Sequence, residues 1–502
     1  MHYQTITYAN ITLSLSDDLM GLFHVSSASL PLPPGPAGLP LVGSALHFIG
    51  PFSRSPHAVL TGLAQTYGPI MSFRPGMAGD FVVVSSPAAA REALAENDAA
   101  LGARFVPDVA HALAHSSESV FFLPNSSALW RRHRAVVGAH LSSGLSLGRT
   151  SHVRDRHARR LAENVRARSG TPVAVGVAVL GAVLDVVSNI AFSEDVAGAR
   201  VQGGQMFKEL IVAVLQDWTK PNVSDAFPFL APVDLLGSRH RVSRGLMKLY
   251  KFFDDEFVER RLLSSCDHER HGDLLDVVLE RHAKSELTRS EITKFFTDIF
   301  LASSNTSRIT VEWAMALLLK HQDKMEKVQD ELAENLGCKD FVEEHDLHKL
   351  PYLHAVIKET LRLQPPAPLL PRKVVTGDMS LGGFAVPVGT YVLVNLWAIG
   401  RDPAVWPDPE VFLPERFLGD QAANFRGLDD FAYKPFGAGR RVCPGLDFAT
   451  RLVPLLLASL LHRVQWRLPS GMAPEDVDLR DRGSMVLELA TPLQAVPVST
   501  HQ

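Results

Sequence analysis

Residues Phe436 to Gly445 read F-G-A-G-R-R-V-C-P-G, and the rest of the chain is best understood outward from them. A glycine-bearing loop lets backbone approach something flat and bulky, because no Cβ holds it off. Arg440 and Arg441 supply fixed positive charge. Cys443 follows, and Pro444-Gly445 opens an apolar helix. Cations, loop N–H groups and the positive end of a helix all favour a thiolate over a thiol. The frame therefore presents Cys443 as a ligand, where an isolated cysteine would read as a small buried hydrophobe.

Downstream, Leu446 to Leu461 carries Leu452, Val453, Leu456, Leu457 and Leu460, the pattern of a buried helix, with Pro454 expected to kink it. Upstream lies the longest helix signal. Thr288 and Glu291 form a T-x-x-E capping box, and Ile292, Phe295, Phe296 and Ile299 repeat along one face. The pattern continues to about Lys320, more than twice an average helix. Asp323 to Leu336 predicts another helix, closed by Gly337, and Tyr352 to Leu363 a third, stopped by Pro365-Pro366. Short β-like pieces fall at Pro69 to Phe73 and Phe81 to Ser85.

The loop F-G-A-G-R-R-V-C-P-G resembles the haem-ligand loop of the cytochrome P-450 family, F-x-x-G-x-R-x-C-x-G, with Phe436, Gly439, Arg441, Cys443 and Gly445 in the fixed places. The resemblance implies a mainly α fold: one large helical domain with small β-sheets, and haem held between the long central helix and the cysteine loop. It implies that Cys443 is the axial iron ligand, that Phe436 packs against it, and that Arg441 pairs a haem propionate. Glu359 and Arg362 in KETLR match the family's buried E-x-x-R pair, joined by Arg416 of PERF as structural support. Trp130 and Arg134 in WRRHR match W-x-x-x-R and, like Arg372, are expected at the propionates. Arginine suits that task because its fork binds both carboxylate oxygens. The likeness runs from about Pro33 to Val498. LPPGPAGLPLVG, ITVEWAM, PPAPLLPRK and PFGAGRRVCPGL resemble the plant microsomal branch that includes geraniol hydroxylases and other terpenoid hydroxylases.

One segment departs from the family. Ala302-Ser303-Ser304-Asn305-Thr306-Ser307 stands where A/G-G-x-D/E-T-T/S is usual. Thr306 keeps the alcohol and Asn305 replaces the acid. In the family these two catalytic positions help deliver protons, and an amide cannot relay a proton by ionising. Three readings stand: slower hydroxylation with water and Thr306 carrying protons, a reductase-independent isomerase or dehydratase, or a non-catalytic haem-binding protein. On the first, Asn305→Asp should raise coupled turnover. Thr306 can also bond back to the carbonyl of Ala302. Substrate-facing segments are expected at about Val106 to Leu123, Met206 to Leu215, Phe296 to Thr306, Ala367 to Leu370 and Gly483 to Leu487, all rich in apolar residues.

The implied reaction inserts one oxygen atom into a small lipophilic substrate, a terpenoid or related plant metabolite. Electrons come from NADPH through a flavoprotein reductase, for which Arg131, Arg132 and Lys434 are candidate basic contacts. The chain has 502 residues, 46% hydrophobic, with a formal charge of −4, which gives no reason to expect nucleic acid. The 3 cysteines, Cys266, Cys338 and Cys443, form no CxxC pair and are too few for a disulfide framework. Residues 1–30 are an atypical N-terminal segment; Asp17 and Asp18 interrupt its only apolar run, so no transmembrane anchor is read there. Residues 31–40 (PLPPGPAGLP) form a stiff hinge, and 41–502 the haem-thiolate domain. The family implies the endoplasmic reticulum membrane, and peripheral membrane contact fits as well.

Overall fold

The computed structural model describes residues 30–48, 55–196, 203–264, 271–419, 425 and 430–499. Cys266 and the N-terminal segment up to residue 29 lie outside them, so the expectation about an anchor there is untouched.

The organising element is the central helix, Arg289–Lys320. The expected capping box forms: the Glu291 N–H donates to Thr288 Oγ1 at 3.2 Å and the Thr288 N–H to Glu291 Oε2 at 2.6 Å. Two otherwise orphaned N–H groups are thereby satisfied. Most of this helix is buried, from Ile292 through Leu319, because other helices wrap it on several sides. Val175–Phe192 packs along it, as do Ser238–Phe253, Pro351–Leu363 and Leu446–Leu461. Val175–Phe192 is dominated by valine, leucine, alanine and isoleucine. Among the described residues it alone is long and apolar enough to cross a membrane, and 72% of it is buried in the protein, which makes it a core helix. Aromatic rings fill the space between it and its neighbours. Phe192 stacks on Phe257 at 3.9 Å, and Phe207, Phe253, Phe296 and Phe300 close around it.

The helices expected after the central one are Gln322–Leu336, with Gly337 beyond its end at φ +54°, and Pro351–Leu363. Leu446–Leu461 runs continuously through buried Pro454.

A four-stranded sheet has the order Ile70–Phe73, Phe81–Val84, Tyr391–Asn395, Leu369–Lys373. Phe81–Val84 is buried along its whole length and pairs in parallel with Tyr391–Asn395, Phe81 opposite Tyr391. A strand apolar at every position is what a sheet buried on both faces requires. The proline-rich stretch docks on this sheet through acceptors only, since proline has no N–H to give. Pro34 O accepts the Ser72 N–H and Pro33 O the Ser72 hydroxyl, each at 2.7 Å. Gly35 fits there because a Cβ would lie 1.8 Å from Ser72 O.

Candidate functional site

The cysteine loop closes on itself. The Cys443 N–H donates to Phe436 O at 2.9 Å, and the Val442 N–H to Gly439 O at 3.0 Å. Gly437 and Gly439 take φ of +71° and +69°. A Cβ on Gly439 would strike Leu94 O and Asp98 Oδ1, both at 2.5 Å, so the loop and its residue types are matched. Cys443 is half-buried. Burial pushes its thiol up, while the Gly445 N–H bonded to it and the guanidinium groups of Arg104 and Arg134 pull the other way. That is the electropositive setting in which a cysteine becomes a ligand.

Four arginines gather about this loop, and two of them, Arg104 and Arg134, act on the sulfur. Arg441 is buried, donates to Gly102 O at 2.9 Å and to Phe121 O at 3.3 Å, and bonds Leu123 O. Its guanidinium lies 4.9 Å from the Trp130 ring centre, and that of Arg134 lies 5.5 Å from it. Arg134 reaches Val442 O at 3.0 Å, which ties the helix Ala128–His140 to the cysteine loop. Arg372, on the edge strand Leu369–Lys373, is buried, and its side chain donates to its neighbour's carbonyl, Pro371 O, at 2.9 Å. Arg104 is half-buried, and its Nε, shielded from solvent, has no hydrogen-bond partner. Burial, then mutual repulsion, presses Arg372 and Arg441 down to about 9, and Arg104 and Arg134 also fall. Guanidinium groups stay protonated in proteins. The downward pressure therefore marks positive charge lacking an anion. The nearby carboxylate, Asp98, is paired with Arg440 at 3.3 Å. A planar group bearing two carboxylates fits this cradle, and haem is such a group.

The expected support network is present. Glu359 and Arg362 are both fully buried. Arg362 Nε and Nη2 donate to the two Glu359 oxygens at 2.6 and 2.8 Å, a bidentate pair. Glu359 also accepts the Leu413 N–H at 2.9 Å and Arg416 Nε at 3.4 Å. The remaining Arg362 donors reach Gly400 O, Pro409 O and Val411 O at 2.5, 2.7 and 3.2 Å. The pair thus holds the irregular chain from 400 to 416 that leads into the cysteine loop.

On the central helix, Thr306 is exposed although Ser304, Asn305, Ser307 and Ile309 around it are buried. With half-buried Ala302 and Ser303, it marks where the helix stands apart from its neighbours. The Thr306 hydroxyl donates back to Ala302 O at 2.8 Å, as the sequence allowed, and Ser303 and Ser304 do the same to Ile299 O and Phe300 O. Each bond competes with the helix ladder for the same carbonyl, and each leaves the oxygen's lone pairs open. Asn305 turns away from Thr306 toward Glu488 and Arg308.

A second polar cluster ties the expected substrate loop to this helix. Fully buried Asp298 accepts the Ser119 hydroxyl at 2.8 Å, the Val120 N–H at 2.8 Å, and meets His115 Nε2 at 2.9 Å. His115 Nδ1 lies 2.6 Å from the Tyr250 hydroxyl.

The sequence did not reveal Arg104, Arg308, Glu488 or this cluster. Glu488 and the Asp298 cluster take partners far along the chain, as with the separation of 183 between Asn305 and Glu488. One basic candidate is corrected. Lys434 is buried, with its ammonium 5.3 Å from the Phe431 ring centre, so it is no surface contact. Arg132 is half-buried and bonds Glu286 O, while Arg131 is exposed.

A lone loop cysteine, arginines lacking an anion, and a long helix with an open hydroxyl packed on the cysteine-loop helix together define a haem-thiolate protein. Residues 33–494 match the cytochrome P450 family, and the chain belongs to it. It is 41% identical to oryzalexin E synthase of Oryza sativa subsp. japonica over 95% of this chain and 94% of that one. It is equally, 41%, identical to geraniol 8-hydroxylase of Catharanthus roseus over 99% of both, and 40% identical to ent-cassadiene C11-alpha-hydroxylase 1 of Oryza sativa subsp. japonica over 93% of both. By family the chain is a monooxygenase.

Proposed function

We propose that this enzyme hydroxylates a small lipophilic terpenoid, drawing electrons from NADPH through a flavoprotein reductase. The observation that carries the reading is the cradle beside Cys443: Arg104, Arg134, Arg372 and Arg441 with Trp130, enclosing positive charge that lacks an anion. The names of the relatives, a geraniol 8-hydroxylase, an oryzalexin E synthase and an ent-cassadiene C11-alpha-hydroxylase, point to the substrate class.

In this reading Cys443 ligates the iron, Phe436 flanks it, and Trp130, Arg134, Arg372 and Arg441 hold the propionates, joined by Arg104. When bound, haem supplies the oxygen activation and insertion, and the thiolate's electron push favours O–O cleavage. The chain's own residues do the rest. Glu359, Arg362 and Arg416 keep the loop in place. Thr306 offers a hydroxyl whose lone pairs face the open side of the helix, where it orders water and passes protons. Apolar side chains from the segments beside it exclude bulk water.

Exposed Arg131 and half-buried Arg132 are the remaining basic candidates for the reductase. Exposed Leu39, Leu41, Met77, Phe229, Val233 and Leu235 come from three neighbouring segments, joined where the Met77 N–H donates to Ala226 O at 2.8 Å and where Gly43 bridges Pro75. Such a face suits peripheral contact with the endoplasmic reticulum membrane. The second reading, a reductase-independent isomerase or dehydratase, is favoured by the amide at Asn305.

Reduced, CO-treated protein should show the thiolate-type Soret band; its absence removes Cys443 as ligand. A spectral binding screen of terpenoids should yield a ligand, and product should need both NADPH and reductase. Product formed without them selects the second reading.

A further inference from the structure

Asn305 sits between two charges of opposite sign. Its Nδ2–H donates to Glu488 Oε1 at 2.9 Å, and its Oδ1 accepts from Arg308 Nε at 3.2 Å and Nη2 at 2.8 Å. Arg308 also pairs with Glu488 Oε1 at 3.0 Å and Glu312 Oε2 at 2.6 Å. Glu312 Oε1 accepts the Leu493 N–H at 3.1 Å, and Arg482 approaches Glu488 at 3.8 Å. Asn305 and Glu312 are buried, and Arg308 and Glu488 are 17% and 14% exposed. Both ends of the Asn305 amide are thus engaged.

A side chain bridging a cation and an anion must accept at one end and donate at the other. An amide does both; an ionised carboxylate only accepts. We propose that Asn305, Arg308 and Glu488 are one positioning unit, in which the amide is required by the Arg308–Glu488 pair. The negative charge met by the position-305 side chain is then supplied from outside the helix, by Glu488 on the C-terminal loop. The unit also fixes that loop against the helix. The neighbouring Leu487 O accepts Trp313 Nε1–H at 2.7 Å, and the Leu487 N–H donates to Pro366 O at 3.0 Å. A loop held this way also fixes Met485, whose N–H donates to Thr219 O at 2.9 Å.

The functional half of this inference rests on the monooxygenase reading; the packing half does not. The test is a cycle of N305D, E488Q and N305D/E488Q in the holoprotein. The carboxylate that N305D introduces would face the carboxylate of Glu488 directly. N305D should lower the melting midpoint by several degrees and lower product per NADPH severalfold, with the lost electrons appearing as peroxide. N305D/E488Q should recover both, because the amide introduced at position 488 donates to the carboxylate introduced at position 305, which still accepts from Arg308. E488Q alone should fall between, since Asn305 keeps an acceptor while Arg308 loses an anion. The unit is refuted if N305D raises product yield without loss of melting midpoint, or if the double variant is no better than N305D. If wild-type protein turns over no terpenoid, the monooxygenase reading fails by itself, and the melting cycle still decides the packing claim.

Discussion

Replacing Glu359 by alanine strikes the cysteine loop from a distance. The carboxylate accepts from Arg362 twice, from the Leu413 N–H and from Arg416. Its loss leaves the fully buried Arg362 guanidinium without its counter-charge, which costs about 3–5 kcal/mol. The stranded Leu413 N–H adds about 1–3 kcal/mol. The sum, roughly 4–8 kcal/mol, is comparable with the whole stability of a domain, about 5–15 kcal/mol. Arg362 also grips Gly400, Pro409 and Val411, so the disturbance travels along the chain toward the loop that presents Cys443. Expression in the presence of a haem precursor, followed by haem content and the CO difference spectrum, reads the outcome. Little thiolate-type haem should be recovered, and what folds should melt roughly 5–10 °C lower. Glu359→Gln, which keeps one acceptor oxygen, should retain more haem than Glu359→Ala. Full haem loading by the alanine variant, with a melting midpoint within about 2 °C of wild type, would refute the reasoning.

Three further outcomes are expected. His133 is buried against Phe295 with neither ring nitrogen bonded, and burial lowers it to about 4. The unfolded ring therefore takes up its proton first as pH falls below about 6.5, and stability drains between there and pH 4, by about 3 kcal/mol for this ring. His133→Leu should move acid unfolding to lower pH; an unchanged acid midpoint would contradict this. Asp298→Asn puts an N–H donor in place of one acceptor oxygen, facing groups that need an acceptor, and should cost about 2–4 kcal/mol and expose residues 108–123 to limited proteolysis; wild-type protection of that loop would count against its tether. Phe229→Asp with Leu235→Asp should reduce co-flotation with vesicles of endoplasmic reticulum lipids while leaving the CO spectrum intact, and equal flotation would remove that face as a contact.

The proximal half was legible because its parts are contiguous in the chain. Phe436 to Gly445 carries ligand, turn glycines and cation within one decade, and Glu359 and Arg362 share a helix face. The central helix announced itself through Thr288, Glu291 and its periodic apolar residues. The distal half was less legible because its meaning lies in pairs remote along the chain. Asn305 read alone is a missing acid; beside Arg308 and Glu488 it is a satisfied bridge. Arg104 lies in irregular chain where no periodicity marks it. Lys434 read as surface charge because nothing local shows that Phe431 and its surroundings cover it.

The arginines around Cys443 carry a consequence for how the protein comes into being. Burial presses on the guanidinium groups of Arg104, Arg134, Arg372 and Arg441, and repulsion among them adds to it. A dianion bound among them would offset that repulsion, so folding of this half of the protein and binding of haem would stabilise one another. A substitution that removed one of these arginines would ease the repulsion and weaken the hold on haem together. Quality control acting on incompletely folded chains would, for this enzyme, also measure haem supply.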